Sequence, residues 1–599
     1  MGLLLLPVLA TVVLMLVMLA CAGQAADPAG VGGSRRAAPR CGQAKTGATG
    51  PWLATHPATA AACGLLKIDS CAELCRKNHR CKAWQWMQPS PGSKGTADCY
   101  LKSEAGLAPN GASTAGEIIR PPPPSPPPPL PPPPPFATTA TVATELERKI
   151  VLYGYGNELA FQSLNDSVLN AAIAASGAVI GRYPGGTPSD YWDWQSGWAT
   201  DLKGYAGPRP ATPTTWAEYT KATETTFSVF DTNQLTRNLS YAIAGLKAHE
   251  AAGQVIQYVE LGNEMYDSSR SDVMAAYPNG SAYAAKMAEW TREIKAAFPQ
   301  AHVALIGCRW NAYRKAREDD WNKQVLQNPI SAQADAATFH IYCPFDENDN
   351  SSSPVNLGKH LAQAFFRVEQ NKQHVAMTVP AQMALWVTEM GIYPAGPLLW
   401  TWLEALFYVL MDLLLPQIEQ LEILTPYCLV CGDPTAPSFV TSARDAVVPP
   451  SQAGDVPWAL SLKGHAQSIV FRAAKISGGG TMTPLSFDGN PVLDPSVASS
   501  RALVGWQFRM STSSFVIVNA GAAGATVNLQ HLLRSAATQS LDGRSGSATD
   551  ESCSYYGSFP KALADLTRPG MMPTELGTLS GKCAGTLTLP AYGIVTIHS

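Results

Sequence analysis

Two glutamates stand where an apolar run stops: Glu264 in Tyr258-Val-Glu260-Leu-Gly-Asn263-Glu264-Met-Tyr266, and Glu389 in Trp386-Val-Thr388-Glu389-Met-Gly391. Apolar strands ordinarily end in turn residues, so a carboxylate directly after such a run is placed at the rim of the fold. Two carboxylates converging on one acetal carbon can divide the work of cleaving it. One attacks the carbon while the other protonates the leaving oxygen, provided the groups lie about 5–5.5 Å apart. The acid must hold its proton at working pH, and the nucleophile needs donors that keep it ionised. Arg182 and the His340-Ile-Tyr342 triplet, each at the end of another apolar run, can donate hydrogen bonds to a carboxylate. Glu260 lies inside its run and reads as structural. The chemistry this set suits is retaining hydrolysis of a glycosidic bond. It needs no cofactor, and the cysteines and histidines offer too few ligands at metal spacing to predict a metal site.

The elements that would position these groups are legible from about Glu145 onward. Candidate strands are Ile150–Tyr155, Ala178–Tyr183, Thr226–Phe230, Val255–Leu261, His302–Gly307, Ala336–Tyr342, Leu385–Thr388 and Leu421–Leu424. Amphipathic stretches alternate with them, such as Leu235/Leu239/Ile243/Leu246 and Leu357/Leu361/Phe365/Val368, near helical spacing. Strand and helix alternating in this way predict an α/β fold, a (β/α)8 TIM barrel over residues 146–436, whose catalytic groups sit at the C-terminal ends of the strands. Glu264 then follows the fourth strand, Glu389 the seventh, Arg182 ends the second and His340 and Tyr342 end the sixth. Cys308 and Cys343 follow neighbouring strands, so a disulfide across the rim is expected. From about Pro437 short strands dominate, Gln467–Ala473, Gly505–Met510, Ser514–Asn519, Gly585–Leu589 and Gly593–Ile597 among them, and residues 437–599 read as a C-terminal β-sandwich. Cys553 and Cys583 are a candidate pair within it. The apolar segment Leu398–Leu415, interrupted by Glu404 and Asp412, reads as a buried helix.

With Asn-Glu after the fourth strand, Glu after the seventh, Arg after the second and His-x-Tyr after the sixth, the chain resembles the clan A retaining glycoside hydrolases. Arg182-Tyr-Pro-Gly-Gly-Thr187 with Tyr191-Trp-Asp-Trp194 and Leu-Gly-Asn-Glu looks like the heparanase/β-glucuronidase family, while the related α-L-arabinofuranosidases carry a similar Arg-x-Pro-Gly-Gly. The resemblance spans about residues 148–599. It implies Glu264 as acid/base, Glu389 as nucleophile, Asn263 as donor to the sugar 2-hydroxyl, and Arg182 and Tyr342 as the groups holding the nucleophile. His340 is either a subsite residue or a hydrogen-bonded core histidine. Trp194 and Trp310 are either sugar-stacking platforms or core. The substrate so implied is a polysaccharide or a glycoprotein glycan, and which sugar it carries, uronate or not, is left open.

The rest of the chain concerns address and attachment. Leu3–Ala22 is almost wholly apolar and is followed by small residues, which predicts a secretory signal over 1–25; an uncleaved anchor is the alternative. Loss of Cys21 leaves twelve cysteines, and Asn165, Asn238, Asn279 and Asn350 head Asn-x-Ser sequons, both fitting an exported glycoprotein. No membrane span is expected after signal cleavage. Six cysteines fall between Cys41 and Cys99, a density that predicts a disulfide-stapled module over 41–103, with 15 ways to pair them. Cys71-Ala-Glu-Leu-Cys75, Cys81-Lys-Ala-Trp84-Gln-Trp86 and Asp98-Cys-Tyr-Leu-Lys102 make it resemble a PAN/Apple domain, which implies a carbohydrate or protein ligand. Between module and barrel, residues 104–145 read as a linker, because 13 of the 48 prolines fall in Pro121–Pro135. Such a run is an extended polyproline rod of about 45 Å. Within it, Ser125 followed directly by four prolines is similar to the spacers of plant and green-algal wall proteins.

Composition removes other classes. Net charge is −3 with 15% charged residues and no long basic run, which excludes a nucleic-acid binder that works by neutralising phosphates. A 46% apolar content excludes wholesale disorder. The expectation is a secreted glycosidase of a cell wall or extracellular matrix; the alternative from another class is a non-catalytic, glycan-binding or adhesive matrix glycoprotein with a degenerate barrel.

Overall fold

The computed structural model describes the strands at 52–58, 83–87, 97–102 and 113–117, and residues 133–598 apart from the segments 158–163, 201–210, 309–315, 344–353, 393–397, 431–439, 443–457, 477–479 and 534–553 and short stretches at 399, 511 and between 563 and 584. The chain divides into two compact units, 1–130 and 131–599. In the first, the four strands form an antiparallel sheet in the order Trp52–Ala58, Ala97–Lys102, Ala83–Met87, Ser113–Glu117. The alternating Trp84-Gln-Trp86 and the Cys99-Tyr-Leu stretch are thus strands. The expected helix at Cys71–Cys75, the disulfide pairings, the signal and the proline rod lie outside the described residues.

The second unit is built on eight parallel strands closed into a barrel: β1 (Leu152–Tyr155), β2 (Ile180–Tyr183), β3 (Phe227–Asp231), β4 (Tyr258–Glu260), β5 (His302–Ile306), β6 (Ala336–Cys343), β7 (Ala384–Ile392) and β8 (Leu421–Leu424). Side chains alternate along a strand with period two, and the barrel uses that period to stack layers along its axis. Ile180, Val229, Tyr258, Ala304, Ala336, Trp386 and Ile423 pack together as one apolar layer. Two residues further along, the same strands present Arg182, Asp231, Glu260, Thr338 and Thr388, all buried. An apolar floor therefore carries a polar layer, and the open end of the barrel lies above it.

The barrel extends past the boundary expected at 436. Residues 462–476 are a helix rather than the strand expected at Gln467–Ala473, and it packs against β1, the helix Ser167–Ser176 and the helix Trp402–Leu414. Leu462, Ala466, Ile469, Val470 and Ala473 fall on one buried face at helical spacing. The opposite boundary moves too. Phe136–Val142, read as the end of the linker, is a strand: it pairs parallel with Ala525–Asn528 and antiparallel with Thr481–Phe487 inside the ten-stranded C-terminal sheet. That sheet folds over on itself, since Leu587 and Leu589 from one end share a core with Val595 and Ile597 from the other. Its second face packs on the barrel: in Ser513–Asn519, Phe515 and Ile517 enter the sheet's own core while Val516 and Val518 join the barrel's.

The helix Trp402–Leu414 sits at that junction and is buried on every side, as expected for Leu398–Leu415. Trp402 Nε1 donates to the Tyr592 carbonyl at 2.8 Å, and Trp506 Nε1 donates to that of Leu413. Its two acids are therefore dry: burial raises Glu404 to about 8 and Asp412 well above its usual value, while burial lowers the adjacent Lys463 to about 7. A carboxyl raised in the folded state stays neutral there while the unfolded chain ionises from about 4.5, so this contribution to stability falls as pH rises from about 4.5 to about 8. Glu404→Gln, a close match to the neutral acid, is expected to flatten that slope by up to about 3 kcal/mol, read as the difference in unfolding free energy between about pH 5 and about pH 7.

No described helix is long and apolar enough to cross a membrane. Cys308 and Cys343 are buried thiols, not joined in the expected rim disulfide. Register gives the reason. Ile306 on β5 pairs with Thr338 on β6, so Cys308 comes level with His340, and Cys343 lies three residues beyond. At about 3.3 Å per residue that is about 10 Å, outside the ~7 Å reach of a disulfide. Cys553 and Cys583 lie outside the described residues.

Candidate active site

Arg182 organises the polar layer. Its guanidinium donates through Nε to Glu260 Oε2 at 2.6 Å, through Nη1 to Glu389 Oε1 at 2.7 Å and through Nη2 to Asn263 Oδ1 at 3.1 Å, with Asp231 Oδ2 at 2.9 Å from Nη2. Burial alone would lower its pKa, but Glu260, Asp231 and Glu389 together raise it well above the usual value. Three carboxylates round one cation leave an excess of negative charge, and burial pushes Asp231 well above the carboxylate range. Glu260 is held from both sides, by Arg182 and by Thr388 Oγ1 at 2.9 Å, which is the structural role read from its position.

Glu389 reaches this layer through a shift in register. Phe339 pairs with Val387, but His340 pairs with Glu389, so Thr388 is an extra residue in β7 and Glu389 is brought level with His340. Both of its oxygens are engaged: Oε1 by Arg182, and Oε2 by the Tyr342 hydroxyl at 2.5 Å. Burial and the Glu389 charge hold the Tyr342 phenol well above its usual pKa, so it remains a donor.

Glu264 stands opposite, after β4. The turn that carries it depends on Gly262, whose φ is 95° and where a Cβ would fall 1.7 Å from the Gln234 amide nitrogen. Gln234 itself donates to the Leu261 carbonyl, holding the turn from beneath. Asp190, raised to about 7 by burial, accepts from the Asn263 backbone N–H at 3.2 Å and from Arg270 at 2.6 Å. Glu264 then adopts φ 48°, a left-handed conformation uncommon for a residue with a Cβ. Its Oε1 meets the Tyr266 hydroxyl and His340 Nδ1, each at 2.9 Å, and its side chain remains one-quarter exposed where that of Glu389 is nearly sealed. Gly262→Ala forces both a collision and a strained φ. It is expected to cost about 2–4 kcal/mol of stability and to lower activity in the protein that still folds, measured by melting temperature and turnover together.

His340 lies between the two glutamates, with Nδ1 at 2.9 Å from Glu264 and 3.4 Å from Glu389. One carboxylate oxygen of each and this nitrogen all fall within 4.8 Å of one another. That spacing would also suit a metal ion, which the sequence did not predict. Arg182 and Tyr342 already serve both Glu389 oxygens, so the charge a cation would supply there comes from the guanidinium.

The structure thus brings Arg182, Asn263, Glu264, His340, Tyr342 and Glu389 into one constellation. Trp194 Nε1 donates to the Tyr241 carbonyl at 3.1 Å and its ring packs on Gly245 of the helix Leu239–Ala251. Trp310 lies outside the described residues. Asp231 and Asp190 were not anticipated. Asp231 obeys the same rule as the glutamates, a carboxylate directly after a buried run, here the run ending at Phe230. Asp190 carries no local signal, since its partners come from other loops.

No protein-family model and no curated protein matches the chain. Solved structures do match. A family 51 α-L-arabinofuranosidase from Bifidobacterium longum superimposes with TM-score 0.53 at 15% identity, covering 78% of this chain and 99% of that one. An α-L-arabinofuranosidase from Thermotoga maritima gives TM-score 0.54 at 14% identity over 77% and 99%, and the GH51 arabinofuranosidase from Xanthomonas axonopodis pv. citri gives 0.54 at 16% over 77% and 99%. At such identity the likeness is one of fold: a closed parallel barrel with a C-terminal sheet packed on it.

Proposed function

We propose that the protein is a retaining glycoside hydrolase in which Glu389 is the nucleophile and Glu264 the acid/base. The observation that carries this is the pair of glutamates on β7 and the turn after β4, with oxygens no more than 4.8 Å apart. An inverting enzyme keeps its carboxyls about 6.5–9.5 Å apart to admit a water, and a retaining one about 5–5.5 Å. The unlike surroundings of the two divide the roles. Glu389, oriented by Arg182 and Tyr342, attacks the anomeric carbon. Glu264, the more exposed, gives its proton to the departing oxygen as the C–O bond breaks. Glu264 then takes a proton from water, which displaces Glu389 from the sugar. Asn263 spends its oxygen on Arg182 and offers its amide nitrogen to the 2-hydroxyl. His340, between the glutamates, steadies the acid/base as its charge changes.

The finer reading follows the sequence. The enzyme is exported through the signal at 1–25, carries sequon glycans, and acts on a cell-wall or matrix polysaccharide or glycoprotein glycan to which a PAN/Apple-like module at 41–103 tethers it. The arabinofuranosidase-like fold and the β-glucuronidase-like motifs name two substrate classes to try first. Purified full-length protein is assayed against aryl α-L-arabinofuranoside, β-glucuronide and a wider panel of aryl glycosides, and the active substrate's fluoro-sugar analogue is used to trap the intermediate. The expected result is one label per chain, on Glu389. A label on another residue overturns the nucleophile assignment, and no turnover on any panel member or wall glycan overturns the enzyme reading in favour of a glycan-binding protein.

A further inference from the structure

We infer that Lys463, on the helix Leu462–Ile476, is a positioning residue for the nucleophile: it fixes the segment after β8 and, through that segment, the tyrosine that serves Glu389. The inference rests on the assignment of Glu389 made above. The Tyr342 hydroxyl reaches Glu389 Oε2 at 2.5 Å from the end of a long side chain, so its ring has to be kept in one place. Two neighbours pack on that ring. One is β7 at Gly391, where a Cβ would come within 3.1 Å of it. The other is Tyr427, whose ring lies edge-on to it with centroids 6.2 Å apart.

Tyr427 stands past Leu424, the end of β8, where the regular ladder has stopped and a single bridge joins it to Gly156. Its N–H goes to the Met390 carbonyl at 2.9 Å, and Leu429 gives its own to the Gly156 carbonyl at 2.8 Å, which ties the segment to β7 and β1. The Tyr427 carbonyl is met by a side chain: Lys463 Nζ donates to it at 2.6 Å. Lys463 is itself sealed in, at 2% exposure, with Nζ 4.1 Å from the centre of the Tyr408 ring, well within cation–π range. The Tyr408 hydroxyl in turn accepts from the Ile392 N–H at 3.2 Å. One amine thus bears on the end of β7, which carries Glu389, and on the segment after β8, which packs on Tyr342. Burial lowers its pKa to about 7, yet charged or neutral the nitrogen has hydrogens to give the carbonyl.

A lysine is almost never fully buried without a task for its nitrogen, and here the task is at the carbonyl of a residue whose ring is half-buried beside the glutamates' end of the barrel. The next residue, Cys428, is disulfide-bonded, which fixes where the chain passes. Which way the Tyr427 peptide plane and ring face is left to the partners of that residue itself, and Lys463 holds its carbonyl. With the donor removed, the carbonyl turns to find another, the Tyr427 ring moves with it, and the Tyr342 ring loses one of its two supports.

The test uses full-length protein carrying Lys463→Met, which keeps the length of the side chain and removes the donor; Lys463→Gln, whose donor is one atom short of the carbonyl, takes its place if the methionine variant does not fold, judged by melting temperature. On the active aryl glycoside kcat is expected to fall about 10- to 100-fold, the scale of a nucleophile displaced by a fraction of an ångström to an ångström, with KM within about threefold of wild type. Tyr427→Ala is expected to lower kcat as well, and the double variant Lys463→Met/Tyr427→Ala to be no slower than the slower single, because both changes act along one path. Crystal structures of wild type and variant supply a readout that needs no turnover: in the variant the Tyr427 carbonyl and ring are displaced and the Tyr342 hydroxyl lies beyond hydrogen-bond reach of Glu389. The proposal is overturned by wild-type kcat in the folded variant, by a loss carried in KM instead of kcat, by losses that multiply in the double variant, or by tyrosines that stay in place in the variant's crystal structure. Absence of turnover by the wild-type protein overturns the glycosidase reading by itself, and the pair of crystal structures then decides whether Lys463 holds Tyr427 and Tyr342.

Discussion

Glu389→Gln is expected to reduce turnover of every substrate by about four orders of magnitude or more, because an amide neither attacks the anomeric carbon nor leaves it. Glu264→Gln is expected to behave differently from one leaving group to the next. With alkyl or sugar leaving groups, which need a proton to depart, kcat/KM falls about 10²- to 10⁴-fold. With acidic phenols the first step needs little assistance, so kcat/KM is largely kept while the second step, deprived of its base, becomes slow. Rapid mixing should then show a burst of one equivalent of phenol per enzyme, followed by a slow steady state. Leaving-group dependence measured across an aryl series in both variants checks the assignment. Should that dependence steepen in Glu389→Gln and stay flat in Glu264→Gln, the two roles are exchanged.

Arg182→Met is expected to produce the largest loss of stability of any single change in the barrel. The guanidinium serves Glu260, Glu389, Asn263 and Asp231 at once, all within the buried layer. Replacing a whole buried ion pair by apolar groups is often tolerated, but removing one partner strands the others. The cost is about 3–5 kcal/mol for one stranded charge, a large part of the 5–15 kcal/mol that holds a typical domain together. Arg182→Lys separates folding from positioning. It retains the charge and much of the stability, yet its compact ammonium lacks the fork that reaches several acceptors in different directions. Melting temperature should recover toward wild type in the lysine variant while kcat stays depressed. Equal recovery of both would show that Arg182 acts through charge alone.

What could be read from the sequence was what burial writes into local pattern. Parallel barrel strands are covered on both faces, so their apolar runs are dense and a carboxylate after one is conspicuous, as with Glu264 and Glu389. Ile469-Val470-Phe471 shows the limit. A short apolar run fits a strand or a buried helix equally well, and only the wider spacing from Leu462 to Ala473 distinguishes them. The register shift at Thr388, which aligns Glu389 with His340, leaves no trace in composition. The strand Phe136–Val142 was hidden for another reason: Phe-Ala-Thr-Thr-Ala-Thr-Val has the β-branched residues of a strand, but the proline run beside it dominates the texture, and its partners are Thr481–Phe487 and Ala525–Asn528, far along the chain.

That strand also decides how the barrel and its sheet bear load. The proline-rich segment leads into Phe136 without an intervening loop of any length, so a pull along the linker acts on a strand paired with two neighbours in turn. A terminal strand on the rim of a sheet peels, breaking one hydrogen bond at a time. Here Phe136–Thr139 is laddered to Ala525–Asn528 and Ala140–Val142 to Leu485–Phe487, so a lengthwise pull meets pairing along the whole strand, first to one neighbour and then to the other. A chain held by its N-terminal region to a surface that swells, stretches or flows would be gripped through a strand paired along its whole length rather than through a frayed end.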